Sequence, residues 1–179
     1  MSHSTIEKIV LEIRNDRNFD RYTEFFKENP TKINELVDIV VRQAHYPLEE
    51  YASWILVHIS KDNPSQTQQF YPTFVDILFQ SKNQSVLRNI TCCINQLQST
   101  EYKESELFDL FLSFIKDHKN KVALHVYSMY ALVQYVKKYP ELKTEIEDTI
   151  THNSKGKTAA YKSAFKKFQY LITKKKVID

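Results

Sequence analysis

Glycine is almost missing from this chain: Gly156 is the only one in 179 residues. Loops that cradle phosphates and tight hairpin turns both need residues that tolerate positive φ. P-loops, dinucleotide fingerprints and glycine-dependent nucleophile elbows are therefore absent. Cysteine is equally scarce. Cys92 and Cys93 are neighbours, which rules out an ordinary framework disulfide between them and gives no CxxC or metal spacing. No apolar run approaches the roughly 20 residues a bilayer span requires. The segment from Met1 to Lys8 lacks the basic flank, apolar centre and small-residue cleavage site of a secretory signal. The expectation is a cytoplasmic chain with reduced thiols and no membrane role.

Residues that carry chemistry are present but not arranged for it. The six histidines, at 3, 45, 58, 118, 125 and 152, include no pair spaced by three or four, so no two share a helix face as zinc ligands usually do. Ser53, Ser60 and Ser128 lie inside helical patterns without a strained elbow. No catalytic, cofactor or metal site is expected, and no small-molecule substrate.

What the chain does have is helix-forming composition and a repeat. Lys, Glu, Gln and Leu are abundant, and the prolines fall at element edges. The runs Tyr51–Ile59, Val86–Ile94 and Val122–Tyr130 superpose at offsets of 35 and 36 residues, with apolar residues at their first, second, fifth and last positions. A period in that range means stacked helical pairs. Ile6, Ile9, Val10 and Ile13, then Phe19, Tyr22 and Phe26, predict an opening pair of helices. Asn29-Pro30 predicts a capped start for a helix striped by Ile33, Leu36, Val37, Val40, Val41 and Ala44.

Three pairs follow in the pattern. They run over 47–60 with 64–80, the latter interrupted at Pro72, then 85–97 with 101–116, then 121–138 with 140–150. The second helices echo one another through Phe74/Leu107/Leu142 and Leu78/Phe111/Ile146, four residues apart and so on one face. The expected organisation is one domain over 1–179: N-terminal helices in 1–44, three repeats in 47–150, and a capping helix in 157–176. Its predicted class is all-α, an α/α superhelix of about ten helices.

At this point a resemblance can be named. The run Ala52-Ser-Trp-Ile-Leu, Asn63-Pro64, Val86-Leu-Arg-Asn-Ile, Val126-Tyr-Ser-Met-Tyr-Ala-Leu, Tyr139-Pro-Glu-Leu-Lys143 and Tyr161-Lys-Ser-Ala-Phe-Lys-Lys167 resembles the short HEAT-like, armadillo-type repeat proteins of Bacteroidetes. The resemblance covers roughly 15–173. It implies a helical superhelix with an interaction role and no substrate, cofactor or catalytic residue. Members are sometimes labelled adenylosuccinate lyase. That superfamily resembles a tetramer with a Ser-rich, Gly- and Met-containing signature loop, whereas Met occurs here only at Met1 and Met129 and Gly only at Gly156, so the label finds no support.

Two surfaces are candidates for function. In the repeated helix the core ladder is Tyr51/Val86/Val122, Ile55/Ile90/Val126 and Ile59/Ile94/Tyr130. The opposite ladder, Ser53/Arg88/Leu124, Trp54/Asn89/His125 and Val57/Cys92/Ser128, should face the inner side, because stacked repeats align equivalent positions. Trp54, Arg88, Asn89 and His125 are the candidate partner-binding residues. The competing structural reading packs Trp54 on the preceding helix and bridges Arg88 to a neighbour.

The second surface is electrostatic. Residues 149–178 hold eight lysines and no acid, so that stretch carries +8 of a net +3 and leaves −5 for the rest. Lys162, Lys166, Lys167 and Lys174 are its possible anion-binding residues. The expected function is a non-catalytic scaffold or adaptor for a protein or peptide, with nucleic-acid binding through the lysine-rich end as the alternative. Fold-level likeness to HEAT-like alkylpurine DNA glycosylases keeps that alternative open. The 11 Phe and 11 Tyr fall mostly at core spacing rather than beside the lysines.

Overall fold

Ser4 opens the first helix with a capping box. Its hydroxyl accepts the Glu7 amide at 3.2 Å, while the Glu7 carboxylate accepts the Ser4 amide at 2.9 Å. The computed structural model describes residues 4–156 and 158–173. Among these residues it is all-α, with no strand. The helices group into two compact units, divided after Thr100.

The first unit holds α1 (Thr5–Glu12), α2 (Phe19–Glu28), α3 (Ile33–Val41), α4 (Leu48–Asp62), α5 (Pro64–Thr67), α6 (Tyr71–Gln80) and α7 (Gln84–Ile94). Here α4 is central: it packs against α1, α2, α3 and α7, and α7 packs in turn on α6. Ile55, Leu56, Ile59, Val86, Ile90 and Ile94 all lie buried in these seams. The second unit holds α8 (Glu104–Lys116), α9 (Val122–Lys138), α10 (Lys143–His152) and α11 (Ala159–Thr173), with α9 packed against both α8 and α11.

A single local device builds three of the corners. At Asn29-Pro30, Asn63-Pro64 and Tyr139-Pro140 the residue before proline leaves the α region, with φ of −125°, −141° and −132°. Proline's ring disfavours the α region for its predecessor, and at these three corners the helix stops there. The amides of Asn29, Asn63 and Tyr139 still reach back to Phe25, Ile59 and Tyr135 carbonyls at 3.0, 2.8 and 2.7 Å. Proline then occupies the first turn of the next segment, where its missing N–H leaves nothing unsatisfied.

The structure adjusts three sequence expectations. Asn29 closes α2, its side chain donating to the Phe25 carbonyl at 2.9 Å, and makes no side-chain cap for α3. The break expected at Pro72 falls just before it, in a 3-10 turn over Gln68–Phe70, because Pro72 starts α6 without cost. Left-handed backbone also occurs without glycine: Gln43 and Lys103 have φ of 50° and 49°. At Gln43 this lets the Ala44 amide donate back to Ile39 at 3.2 Å and end α3.

The core ladder holds in α7 and, apart from half-buried Tyr51, in α4 but not in α9, and the opposite ladder is buried as well at Ser53, Val57, Asn89 and Cys92. Val122, Val126 and Tyr130, expected in the core, are half-buried, while Leu124, His125, Ser128 and Met129 are buried instead. The cause is α11, which covers the face of α9 that the ladder left to solvent. The outer echo fares better: Phe74, Leu78, Leu107, Phe111 and Ile146 are buried. Leu142 is half-buried in the 3-10 turn before α10.

Candidate partner-binding surface

Of the four residues expected on the inner ladder, the structure leaves two partly exposed. Trp54 on α4 is half-buried, its ring 4.4 Å from Phe19 of α2. Phe19 is in turn stacked on His58 at 4.0 Å with an interplanar angle of 8°. Trp54 thus does pack on the preceding helix while keeping an edge at the surface. Burial lowers the His58 pKa below its usual value, Lys61 adds to this and Asp20 opposes it. The imidazole is neutral and belongs to an aromatic cluster rather than to an ionic site.

Arg88, also half-buried, is held by its neighbour on α7. Its Nε and Nη2 donate to Asn89 Oδ1 at 3.1 and 2.9 Å. Asn89 is only 4% exposed. Its amide donates to Ser53 Oγ at 2.9 Å and to the Glu50 carbonyl at 3.4 Å on α4. No carboxylate among the described residues pairs with Arg88. Buried polar groups must be satisfied, and Asn89 satisfies that need while fixing a guanidinium at the surface. Asn89 thus spends its side chain on α4 and on Arg88 within the seam.

The same seam carries partners that the repeat pattern did not flag. Asn83 caps α7, accepting the Ser85 and Val86 amides at 2.9 and 3.4 Å. Its amide also donates to Glu49 and Glu50 carboxylates at 2.7 and 3.0 Å. An Asn three residues before a helical Val is a sequence-level cap signal.

His125 does not reach a surface. It is fully buried, with Nε2 3.1 Å from the Asp117 carbonyl and its ring edge-on to Tyr161 at 5.8 Å. The Tyr161 hydroxyl donates to the Ile150 carbonyl at 3.1 Å, and burial pushes its pKa up to about 12. Both residues are core joints of the second unit.

Lys162, Lys166 and Lys167 are exposed on α11 and pair with no carboxylate among the described residues. Lys167 Nζ lies 5.0 Å from the Tyr130 ring centroid. Lys174 falls outside the described residues.

The second unit also contains a cavity of about 300 Å³ where the start of α8, the end of α9 and the Pro140 turn meet. Phe108, Tyr135 and Tyr139 line it with rings, and Glu104, Asp109 and Glu141 line it with carboxylates. The carboxylates are spread over 38 residue positions, from 104 to 141, and no motif joins them. The readable trace is Tyr135 near the end of α9 and Tyr139 just past it, followed at once by Pro140-Glu141.

No three His, Cys, Asp or Glu side chains among the described residues lie together as a metal site would need. Cys92 and Cys93 are buried and in no disulfide among the described residues. Burial pushes the Cys93 pKa well up, against a smaller opposing hydrogen bond from Ser60, so the thiolate a nucleophile requires is not populated. No described helix is long and apolar enough to cross a membrane.

Compared with known proteins, the chain matches a family model described as a HEAT repeat domain over residues 5–176, nearly its whole length. No curated protein and no solved structure matches it.

Proposed function

Because this chain belongs to the HEAT repeat domain family, we propose that it is a cytoplasmic, non-catalytic scaffold that holds a protein or peptide through the surface carrying Trp54 and Arg88. Repeats of this kind are protein-interaction modules. The observation that carries the reading is Arg88, a guanidinium held in place by a buried Asn89 yet paired with no described carboxylate. A fixed, unneutralised arginine is the anchor chemistry of interfaces, as is a half-exposed tryptophan, and the arginine selects a partner presenting carboxylates or carbonyls.

The test is affinity capture from native lysate with wild-type, Arg88→Ala and Trp54→Ala proteins, followed by direct binding to the captured partner. Arg88→Ala should weaken binding by about tenfold or more. It is the cleaner variant, since Trp54→Ala also removes packing on Phe19. Equal affinities for all three proteins would take this surface out of the interface.

The second reading rests on Lys162, Lys166 and Lys167, exposed and without carboxylate partners. A nucleic-acid ligand held there should bind with a log–log salt slope of about −0.9 per phosphate for duplex, and the slope should flatten when the three are changed to Gln. We expect labelled duplex and single-stranded oligonucleotides to show no binding at micromolar protein and physiological salt. A steep salt dependence abolished by the Gln variant would reverse the order of the two readings.

A further inference from the structure

The cavity beside the Pro140 turn is already lined for a cation. Aromatic faces carry negative potential, and carboxylates at the same opening add to it. The chain's own Lys138 shows the chemistry at work. Its ammonium lies 2.8 Å from both Glu104 carboxylate oxygens and 5.1 Å from the Tyr139 ring centroid. The Tyr139 hydroxyl completes the group by donating to Glu104 at 3.3 Å. Lys138 neutralises only one of the three acids. Asp109 and Glu141 are exposed and pair with no described cation, so the opening keeps an excess of negative charge. Tyr135, 4% exposed, is a rigid base, its hydroxyl donating to the Glu104 carbonyl at 3.2 Å and its ring 5.3 Å from Phe108.

We propose that this cavity receives the cationic side chain, lysine or arginine, of a peptide segment in a partner protein. The aliphatic stem packs on Phe108 and Tyr135, and the charged head reaches Asp109 and Glu141. An acidic or purely apolar side chain gains nothing from those carboxylates. The inference does not depend on the Trp54–Arg88 surface.

The experiment is an amide-shift titration of isotope-labelled full chain with three blocked tripeptides, glycine-flanked Lys, Arg or Glu. One cation–π contact with exposed ion pairs supports a Kd no tighter than about 10 mM, so titration runs to about 100 mM peptide. The Lys and Arg peptides should produce saturable shifts around Phe108, Tyr135 and Tyr139, and the Glu peptide none. Asp109→Asn with Glu141→Gln, both exposed and so safe for folding, should weaken binding about tenfold. Lys138→Met, which removes the internal competitor, should tighten it, and Trp54→Ala with Arg88→Ala should leave it unchanged. Equal shifts from the Glu peptide, an unaffected Asn/Gln variant, weaker binding in Lys138→Met or no saturable shift would each overturn the proposal. Loss of partner capture by the Trp54/Arg88 variants bears only on the inner-helix reading.

Discussion

Ile90→Asp is expected to destabilise the first unit by about 3–5 kcal/mol, a large part of the roughly 5–15 kcal/mol that holds an ordinary domain folded. Ile90 is 0% exposed on α7, the helix that packs against both α4 and α6, so the carboxylate would have neither water nor a cation. Ile90→Val, which removes one methyl group and adds no charge, should cost only about 1 kcal/mol. Urea denaturation followed by circular dichroism separates the two. The deficit also has a signed pH dependence. A buried aspartate has a folded-state pKa above its unfolded value, so the folded form binds the proton more tightly and part of the lost stability returns as pH falls. A cost near that of the valine variant, flat with pH, would show that Ile90 does not sit in a sealed seam.

Phe111→Ala should cost about 3–5 kcal/mol in the second unit, through lost apolar burial plus the void left behind. Phe111 is fully buried on α8 and meets Tyr135 edge-on at 6.5 Å. Tyr135 forms the base of the cavity beside the Pro140 turn, so its ring should also lose order. Thermal or urea unfolding measures the first effect, and line broadening of the Tyr135 ring signals measures the second. Phe111→Leu, which refills most of the space, should recover the greater part of both. A loss below about 1 kcal/mol for the alanine variant would mean that α8 and α9 are not held by this residue.

Most helices of this fold can be read from the sequence because each carries its own signal. Ile55 and Ile90 repeat at 35 residues and are both 0% exposed, and the X-Pro corners fix three breaks within two residues each. What stays hidden is set by distant neighbours. Val126 matches Ile55 and Ile90 in the repeat, yet α11 turns the buried face of α9 toward Leu124, His125 and Met129. Nothing in Val122–Tyr130 announces that, since the covering helix lies some 30 residues on. The repeat accordingly offers His125 as a ladder contact although a histidine inside a repeated helix also reads as a satisfied, buried imidazole, and sequence cannot reveal that Ser53 and Glu50 wait for the Asn89 amide. The carboxylates of the cavity escaped for a related reason. Glu104, Asp109 and Glu141 come together only when α8, α9 and the Pro140 turn are packed.

The hydrogen bonds between Arg88 and Asn89 also bear on the thermodynamics of association. A free arginine side chain samples many rotamers, and freezing it at an interface opposes binding by up to about 1.5–2 kcal/mol. Here the guanidinium is tethered at 2.9 and 3.1 Å before any partner arrives. That loss of freedom has been absorbed into the folding of α7 against α4, where cooperative burial offsets it. A partner docking at Arg88 as proposed would encounter a donor already aimed, and more of the energy of each new hydrogen bond would survive as affinity.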